Sequence, residues 1–230
     1  TCAASRGSLF TGLYPHQNGI MGFVGEHGFR YREGVPNFLQ GLSEEGYHSG
    51  ITYKSGIEPN TMLPFDETFK WRTNRLHPDD NQNEAKNAID NFRYFMDNRP
   101  EDRPFYFQSQ HSDTHAIWVG GKREKHWSIE GMPGADLYEP IDPNTVEALP
   151  HFGPEVRMHS KEREFLAGYY TAVQRVDYFV GQILSILEEH DEEDNTIVIF
   201  SSDHGPSDLT RGKTTSYEFG IQVPFIVRWP

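Results

Sequence analysis

Short apolar runs rich in β-branched and aromatic residues recur along the chain, and turn-forming residues bound each of them. Runs of this kind predict β-strands. They cover His48 to Tyr53, Pro104 to Gln108, Thr196 to Ser202 and Gln222 to Arg228. The run from Thr196 to Phe200 is apolar without alternation, which is typical of a strand covered on both faces in the middle of a parallel sheet.

Helical periodicity separates these strands. Apolar residues recur at i, i+3 and i+4 spacing from Lys161 to His190 and predict one long helix with a buried stripe. Shorter helices are predicted from Ser5 to Leu13, from Val35 to Glu45 and from Asn83 to Asn98. Because helices and strands alternate, the pattern indicates an α/β fold, a mostly parallel sheet with helices on both faces. The stretch from Gly120 to Pro154 is rich in Gly, Pro and Asp, and it predicts a long irregular loop at the edge of the sheet.

The composition indicates a folded chain and argues against some classes of binding partner. With 230 residues, of which 36% are hydrophobic, the chain can bury a core, and one large domain fits better than two small ones. It contains neither a run of ~20 apolar residues nor a signal-peptide pattern. The net charge of -13 argues against general binding to nucleic acid or to anionic membranes, which requires a basic surface. An acidic, solvated surface explains this charge, although a few converging Lys and Arg residues could still bind a small anion.

The single cysteine lies in the opening stretch TCAASRGSLFTG. Small residues followed by Leu9 and Phe10 at helical spacing place Cys2 in the first turn of a helix, where free N–H groups favour an anion. Arg6, one turn later, directs a permanent positive charge toward the same place. A lone cysteine is most often a buried inert thiol, but a helix start and an arginine beside it favour a reactive one.

Two further stretches contain polar groups that could form a metal-binding or anion-binding site. Asp203-His204-Gly205 follows the predicted core strand directly, where α/β folds bind ligands, and its carboxylate and imidazole could hold a divalent cation. A turn with a capping aspartate explains the same tripeptide equally well. Lys213 lies in a polar loop before the last strand, without the spacing of a phosphate-binding P-loop, and taken alone it is a solvated lysine.

A signature stretch and four later landmarks along the chain resemble the sulfatases, which are members of the alkaline phosphatase superfamily. Cys2-Ala3-Ala4-Ser5-Arg6, followed by Leu9-Phe10-Thr11-Gly12, is similar to their signature. In the same order as in that family come a strand ending at Lys54, then Arg103-Pro104-Phe105 leading to His115, then Asp203-His204-Gly205, and then Gly212-Lys213 before Val223-Pro224. The stretch His16-Gln17-Asn18-Gly19, together with Pro64-Phe65-Asp66, is most similar to the branch that contains N-sulfoglucosamine sulfohydrolase (heparan N-sulfatase).

This resemblance implies a fold and a reaction. The fold would be alkaline-phosphatase-like, and the reaction would release sulfate from an ester or sulfamate on a sulfated sugar, as in glycosaminoglycan degradation. A formylglycine-generating or other sulfatase-maturing enzyme would oxidise Cys2 to formylglycine, an aldehyde that hydrates to a geminal diol. One diol oxygen would attack sulfur and expel the alcohol or amine. The other would then expel sulfate by breaking a C–O bond, which an ordinary Ser or Cys sulfate cannot do.

The resemblance also assigns roles to individual residues. Asp203 and His204, with the modified Cys2, would ligate one divalent cation, which is Ca²⁺ in most of the family. Arg6 would hold the diol, and Lys54 and Lys213 would bind sulfate oxygens. His115 would protonate or orient the leaving group. Without the resemblance, His115 is a loop histidine near His111.

Gly56 departs from the family pattern, because many sulfatases have a histidine at that position, two residues after the lysine matched here by Lys54. One contact to the leaving group or to sulfate is then missing, or another residue supplies it, with His111 as a candidate. Residues 1–230 would form a sulfatase catalytic domain that is incomplete at both ends. The first strand, with an acidic pair of metal ligands, is expected before Thr1, and a smaller subdomain is expected after Pro230. On this expectation the 230 residues alone are inactive and marginally stable.

Two alternatives remain open at the level of sequence. One is a phosphonate or phosphodiester hydrolase of the same superfamily, and the other is a sulfated-glycan-binding relative in which Cys2 is never modified. Trp118, Trp127 and Tyr138 are candidate faces for stacking on a sugar, although ordinary packing explains each of them as well. The family implies the periplasm, secretion or the lysosome, and these residues do not decide among them.

Overall fold

The structure is a computed structural model that describes residues 1–24, 28–53, 55–57, 59, 62–70, 78–111, 114–115, 140–147, 160–207 and 211–230. The described helices are α1 (Cys2–Thr11), α2 (Pro15–Asn18), α3 (Phe38–Glu44), α4 (Pro78–Asn98), α5 (Ser160–Glu189) and α6 (Glu218–Ile221). The strands are β1 (His48–Tyr53), β2 (Glu67–Lys70), β3 (Phe105–Gln108), β4 (Val198–Ser201) and β5 (Phe225–Arg228). A short 3-10 turn lies at Pro143–Thr145.

The predicted elements all form, with small shifts at their ends. The strand predicted over His48 to Tyr53 is β1 itself, and the long predicted helix is α5. Sequence reasoning missed the short elements α2, β2 and α6. Within the stretch from Gly120 to Pro154, the structure describes only 140–147.

Three strands form a parallel sheet in the order β2-β1-β3. Gly50 lies in the middle of this sheet, paired with Glu67 on one side and Phe107 on the other. A Cβ atom at Gly50 would lie 2.8 Å from the Phe107 ring and 2.9 Å from the Phe95 ring. The position therefore needs glycine, because the aromatic side chains of β3 and α4 occupy the space that a side chain would fill.

Helices cover both faces of this sheet, as the alternation of elements predicts. Successive side chains of a strand point to opposite faces. Phe105 and Phe107 of β3 pack with Phe179 in a cluster built from α4 and α5. Tyr106, between them, packs with Phe10 of α1 in the opposite cluster, which also contains Leu39 of α3. The carboxyl ends of β1 and β3 consequently open onto one edge, between these two layers.

The second sheet differs from the expectation for the run Thr196 to Phe200. Instead of lying inside a parallel sheet, β4 pairs with β5 in an antiparallel ribbon. Ile197 and Ile199 are 46% and 59% exposed, so within the described part of the chain one face of β4 is uncovered. The unbroken apolar run predicted the strand correctly but not its covering, because hydrophobicity alone does not specify which element packs on each face.

No helix within the described ranges combines the length with the apolar content that crossing a bilayer requires.

Candidate active site

Helix α1 brings Cys2 and Arg6 to one place. It ends at Gly12, whose φ of 67° lets its N–H reach the Ser8 carbonyl. Gly7 allows the helix to approach the following segment closely, because a Cβ there would lie 3.1 Å from Cβ of Ile20. The helix is thereby fixed with Cys2 buried and only 7% exposed, and with Arg6 one turn further along.

The loop that follows β4 meets the start of α1. The Sγ atom of Cys2 lies 3.1 Å from Nε2 of His204. Both Nε and Nη2 of Arg6 lie 3.2 Å from Oδ2 of Asp203. Gly205 makes this turn possible, since a Cβ there would lie 1.7 Å from the Phe219 carbonyl oxygen. The fold thus joins residues from opposite ends of the chain into one cluster.

The loop carrying Lys213 is fastened to the loop carrying Asp203 and His204. The Gly205 N–H donates to the Gly220 carbonyl at 3.0 Å, and the Lys213 N–H donates to the Pro206 carbonyl at 2.8 Å. Gly220 also needs glycine, because a Cβ there would lie 2.5 Å from the Gly212 carbonyl oxygen. Backbone hydrogen bonds therefore hold the two loops against each other.

A backbone carbonyl sets the orientation of the His204 ring. Its Nδ1 lies 2.6 Å from the Gly205 carbonyl, so Nδ1 donates there and Nε2 faces Cys2 and Asp203. Burial lowers the pKa of His204, but its hydrogen bonds to Cys2 and to the Gly205 carbonyl and the nearby Asp203 carboxylate raise the pKa above its ordinary value overall. Nε2 can accordingly face the sulfur as a donor, or face a metal with its lone pair.

The thiol of Cys2 is strongly acidified. Burial on its own would raise the pKa of Cys2, but hydrogen bonds from His115 and His204 and the charge of Lys213 lower it to about 5, against the opposing charge of Asp203. The ordinary value is 9.0. Cys2 is therefore a thiolate at neutral pH, as a reactive cysteine is.

This acidity gives a direct test on the unmodified, metal-free full-length protein. We expect the ultraviolet absorbance of the Cys2 thiolate to appear with a midpoint near pH 5 as the pH rises. The Cys2→Ser variant, subtracted as a reference, removes the contribution of every other group. A midpoint near 9.0, the ordinary value, would contradict the geometry described for Cys2.

Cys2, Asp203 and His204 are arranged so that they could hold a metal ion. One ligand atom from each lies within 4.8 Å of the others, and no second group of this kind occurs in the described part of the chain. The set offers sulfur, a carboxylate oxygen and an imidazole nitrogen. These donors fit a divalent cation, and replacing sulfur with an oxygen would make the set more suitable for a hard ion.

The structure describes some of the other residues proposed from the sequence and leaves others outside its described ranges. His115 and the charge of Lys213 both lower the pKa of the Cys2 thiol. The Lys213 ammonium also lies 5.9 Å from the centre of the Phe23 ring. Lys54 lies outside the described residues, as do the candidate sugar-stacking residues Trp118, Trp127 and Tyr138.

Two residues near Arg6 that sequence reasoning did not assign to the site contribute to it. Nη1 of Arg6 donates to Oε1 of Gln110 at 2.5 Å. Gly56 borders the arginine side chain, since a Cβ there would lie 2.7 Å from Cδ of Arg6. His111, the candidate for replacing a contact at Gly56, instead stacks on Phe179 of the core at 4.7 Å. Burial lowers the pKa of His111 to about 4, so it is a neutral packing residue.

Comparison with known proteins identifies the family. The model of the family described as Sulfatase matches residues 1–230. The chain belongs to the sulfatase family. Members of the family generally carry a metal and a formylglycine, and in this sulfatase chain Cys2, Asp203 and His204 form a group that could hold a metal ion.

Two curated sulfatases show how similar this chain is to individual members of the family. Human N-sulphoglucosamine sulphohydrolase is 31% identical over 243 aligned residues, which cover 100% of this chain and 46% of the human protein. An ulvan-active sulfatase of Formosa agariphila is 25% identical and is covered over 39% of its length. The chain thus spans less than half the length of these curated sulfatases.

Solved structures show the same fold. A putative sulfatase from Bacteroides thetaiotaomicron matches with a TM-score of 0.69 at 18% identity, over 99% of this chain and 54% of that one. A second structure, solved in complex with its substrate D-glucosamine-2-N,6-O-disulfate, matches with a TM-score of 0.69 at 17% identity, over 100% of this chain and 62% of that one. The alkaline-phosphatase-like α/β fold expected from the sequence is confirmed.

Proposed function

We propose that this sulfatase chain carries the catalytic site of an enzyme that releases sulfate from a sulfated sugar. The observation that carries the proposal is the 3.1 Å contact between Cys2 and His204, which are 202 positions apart in the chain. Cys2 opens α1 and His204 follows β4, so only the folded domain joins them. The family match over residues 1–230 supports the same reaction class.

In this proposal the acidified Cys2 is a precursor and not the final nucleophile. A sulfatase-maturing enzyme oxidises it to formylglycine, whose hydrated form supplies an oxygen nucleophile. Arg6 lies one helical turn from Cys2 and, through its contact with Asp203, is held beside it. Its guanidinium orients the hydrated side chain and balances negative charge there.

Asp203, His204 and the modified Cys2 would hold one divalent cation, and we propose Ca²⁺. When bound, such a cation stabilises negative charge that develops on sulfate oxygens. Ca²⁺ takes roughly six to eight oxygen ligands. Asp203 supplies only part of this set, so the proposal requires further ligands besides Asp203, His204 and the modified Cys2.

Positive groups gather at this site in a chain whose net charge is -13. Arg6 and Lys213 both act near Cys2, and Lys54, which follows β1, is proposed to join them. A local positive field in an acidic protein attracts small anions without attracting polyanions generally. His115, which lowers the pKa of the Cys2 thiol, is near the reacting centre and would donate the proton that the leaving oxygen or nitrogen needs.

For the substrate we propose a sugar bearing N-sulfated glucosamine. This rests on the 31% identity to a human protein named N-sulphoglucosamine sulphohydrolase and on the His16 to Gly19 stretch that is typical of its branch. Breaking a sulfamate expels an amine, which is a poor leaving group unless it is protonated. A general acid at His115 meets that requirement.

A substrate panel tests this function. The full-length protein, matured by co-expression with a formylglycine-generating enzyme, is assayed for released sulfate from N-sulfated glucosamine, 6-O-sulfated glucosamine and an aryl sulfate. We expect sulfate release from N-sulfated glucosamine. Its kcat/KM should be at least about 10-fold above that of 6-O-sulfated glucosamine.

The same panel includes an aryl phosphonate. Hydrolysis of the phosphonate with no sulfate release would replace the proposal with a phosphonate hydrolase. Saturable binding of sulfated sugar without turnover, and with an intact Cys2 thiol, would replace it with a glycan-binding protein.

A further inference from the structure

The guanidinium of Arg6 is held from two directions. Its Nε and Nη2 face Oδ2 of Asp203, each at 3.2 Å. Its Nη1 donates to Oε1 of Gln110 at 2.5 Å. The first contact is made with the loop after β4, and the second with the segment after β3. Because a planar guanidinium donates in fixed directions, acceptors on separate edges fix its rotation as well as its position.

Gln110 is itself firmly placed. It is only 9% exposed, and its backbone N–H donates to Oγ1 of Thr52 in β1 at 2.8 Å. Its side-chain nitrogen Nε2 is buried and has no hydrogen-bond partner among the described residues. A buried donor without a partner is unfavourable, so among the described residues the favourable contact of this amide is the one its oxygen accepts from Arg6.

Gly56 supplies the space that this arrangement needs. A Cβ at Gly56 would lie 2.7 Å from Cδ of Arg6, and the φ of 69° is one that other residues rarely adopt. The aliphatic part of Arg6 therefore passes directly over the backbone of Gly56 on its way to Gln110. The absence of a side chain at 56 and the presence of an acceptor at 110 belong to one arrangement.

We propose that Gln110 is a positioning residue for Arg6, holding one edge of the guanidinium so that the other edge faces Asp203, which lies beside Cys2. The inference rests on the proposed function, in which Arg6 orients the modified Cys2. The neutral amide matters, because it accepts a hydrogen bond without cancelling the positive charge that Arg6 presents to an anionic substrate. A carboxylate at the same position would fix Arg6 equally well but would repel the substrate.

Substitutions of similar length separate these two effects in the matured full-length enzyme. Gln110→Met removes the strong acceptor and keeps the length of the side chain, and we expect it to lower kcat by about 10-fold with KM within about 2-fold. Gln110→Glu keeps the acceptor, so we expect kcat within about 3-fold of the wild type and KM for the sulfated substrate raised at least about 5-fold. Gln108→Met is the matched control, because Gln108 lies two positions earlier and its side chain accepts from Tyr106 rather than from Arg6.

A double-mutant cycle tests whether Gln110 acts through Arg6. In an Arg6→Lys background, which has no guanidinium to position, Gln110→Met should change kcat by less than about 2-fold. An undiminished 10-fold effect in that background would overturn the proposal, because Gln110 would then act by another route.

A measurement that does not depend on turnover keeps this test separate from the proposed function. With selectively ¹⁵N-labelled arginine, the Nη1–H signal of Arg6, assigned by its loss in Arg6→Lys, should exchange slowly with water in the wild type and in Gln110→Glu, because Nη1 donates to the side chain at position 110. It should exchange at least about 10-fold faster in Gln110→Met. Equal exchange in all three proteins would overturn the positioning role. If the wild type released no sulfate, the proposed function would fail, and the exchange measurement would still decide the role of Gln110.

Discussion

Replacing Cys2 with alanine in the matured full-length protein is expected to abolish sulfate release, with a loss of at least about 1,000-fold. Alanine is close in size to the buried cysteine, so the fold should survive, but it can be neither oxidised to an aldehyde nor hydrated. In parallel, mass spectrometry of the wild-type peptide containing Cys2 should show a mass ~18 Da below that of the unmodified thiol.

Two observations would contradict this prediction. One is full turnover by Cys2→Ala, and the other is full turnover by a wild type whose peptide carries an intact thiol. Ser8→Ala, on the same helix, is the control, and it should keep wild-type activity and the same mass loss at Cys2. Its agreement with the wild type would show that a substitution in α1 does not by itself disturb the site.

The Asp203→Asn variant is expected to lose both metal-dependent stability and activity. The substitution keeps the shape of the side chain but removes the charge that faces Arg6 and His204. For the wild type, adding Ca²⁺ at 100 times its dissociation constant should increase the free energy of unfolding by about 2.7 kcal/mol, and this gain should disappear in the variant. Activity should fall at least about 100-fold.

Thermal unfolding with Ca²⁺, with Mn²⁺ and with a chelator measures the first effect. Mn²⁺ is included because the imidazole of His204 suits a transition metal better than it suits Ca²⁺. Asp177→Asn, at an exposed position of α5, is the matched control and should respond to metal as the wild type does. A metal response retained in full by Asp203→Asn would exclude Asp203 as a ligand.

Much of the fold could be predicted from the sequence because its main elements are long or strongly patterned. The stripe of α5 and the apolar run of β1 carry their own signals. By contrast, β2 has only four residues, of which Phe69 is the one large apolar side chain, so its period is too short to recognise. The pairing of β4 with β5 was also out of reach, because it depends on which segments meet in three dimensions.

The site divides in the same way. Cys2, Arg6, Asp203 and His204 could be named in advance because their side chains are chemically reactive or charged and match a family signature. Gln110 has neither property, and its contact with Arg6 spans 104 positions of the chain. Only the packing of the segments after β1 and β3 reveals it. A neutral residue that positions a charged one has no recognisable pattern in the sequence.

The fastening of the loop at Gly205 to the segment from Gly212 to Gly220 has a consequence for ligand binding. Since these loops cannot move apart without breaking backbone hydrogen bonds, we expect them to move together. We therefore expect a ligand bound at Asp203 and His204 to preorganise Lys213, and an anion bound at Lys213 to strengthen binding at the other loop by the same factor. Cation and oxyanion should accordingly enter this protein as cooperative ligands, each improving the affinity for the other.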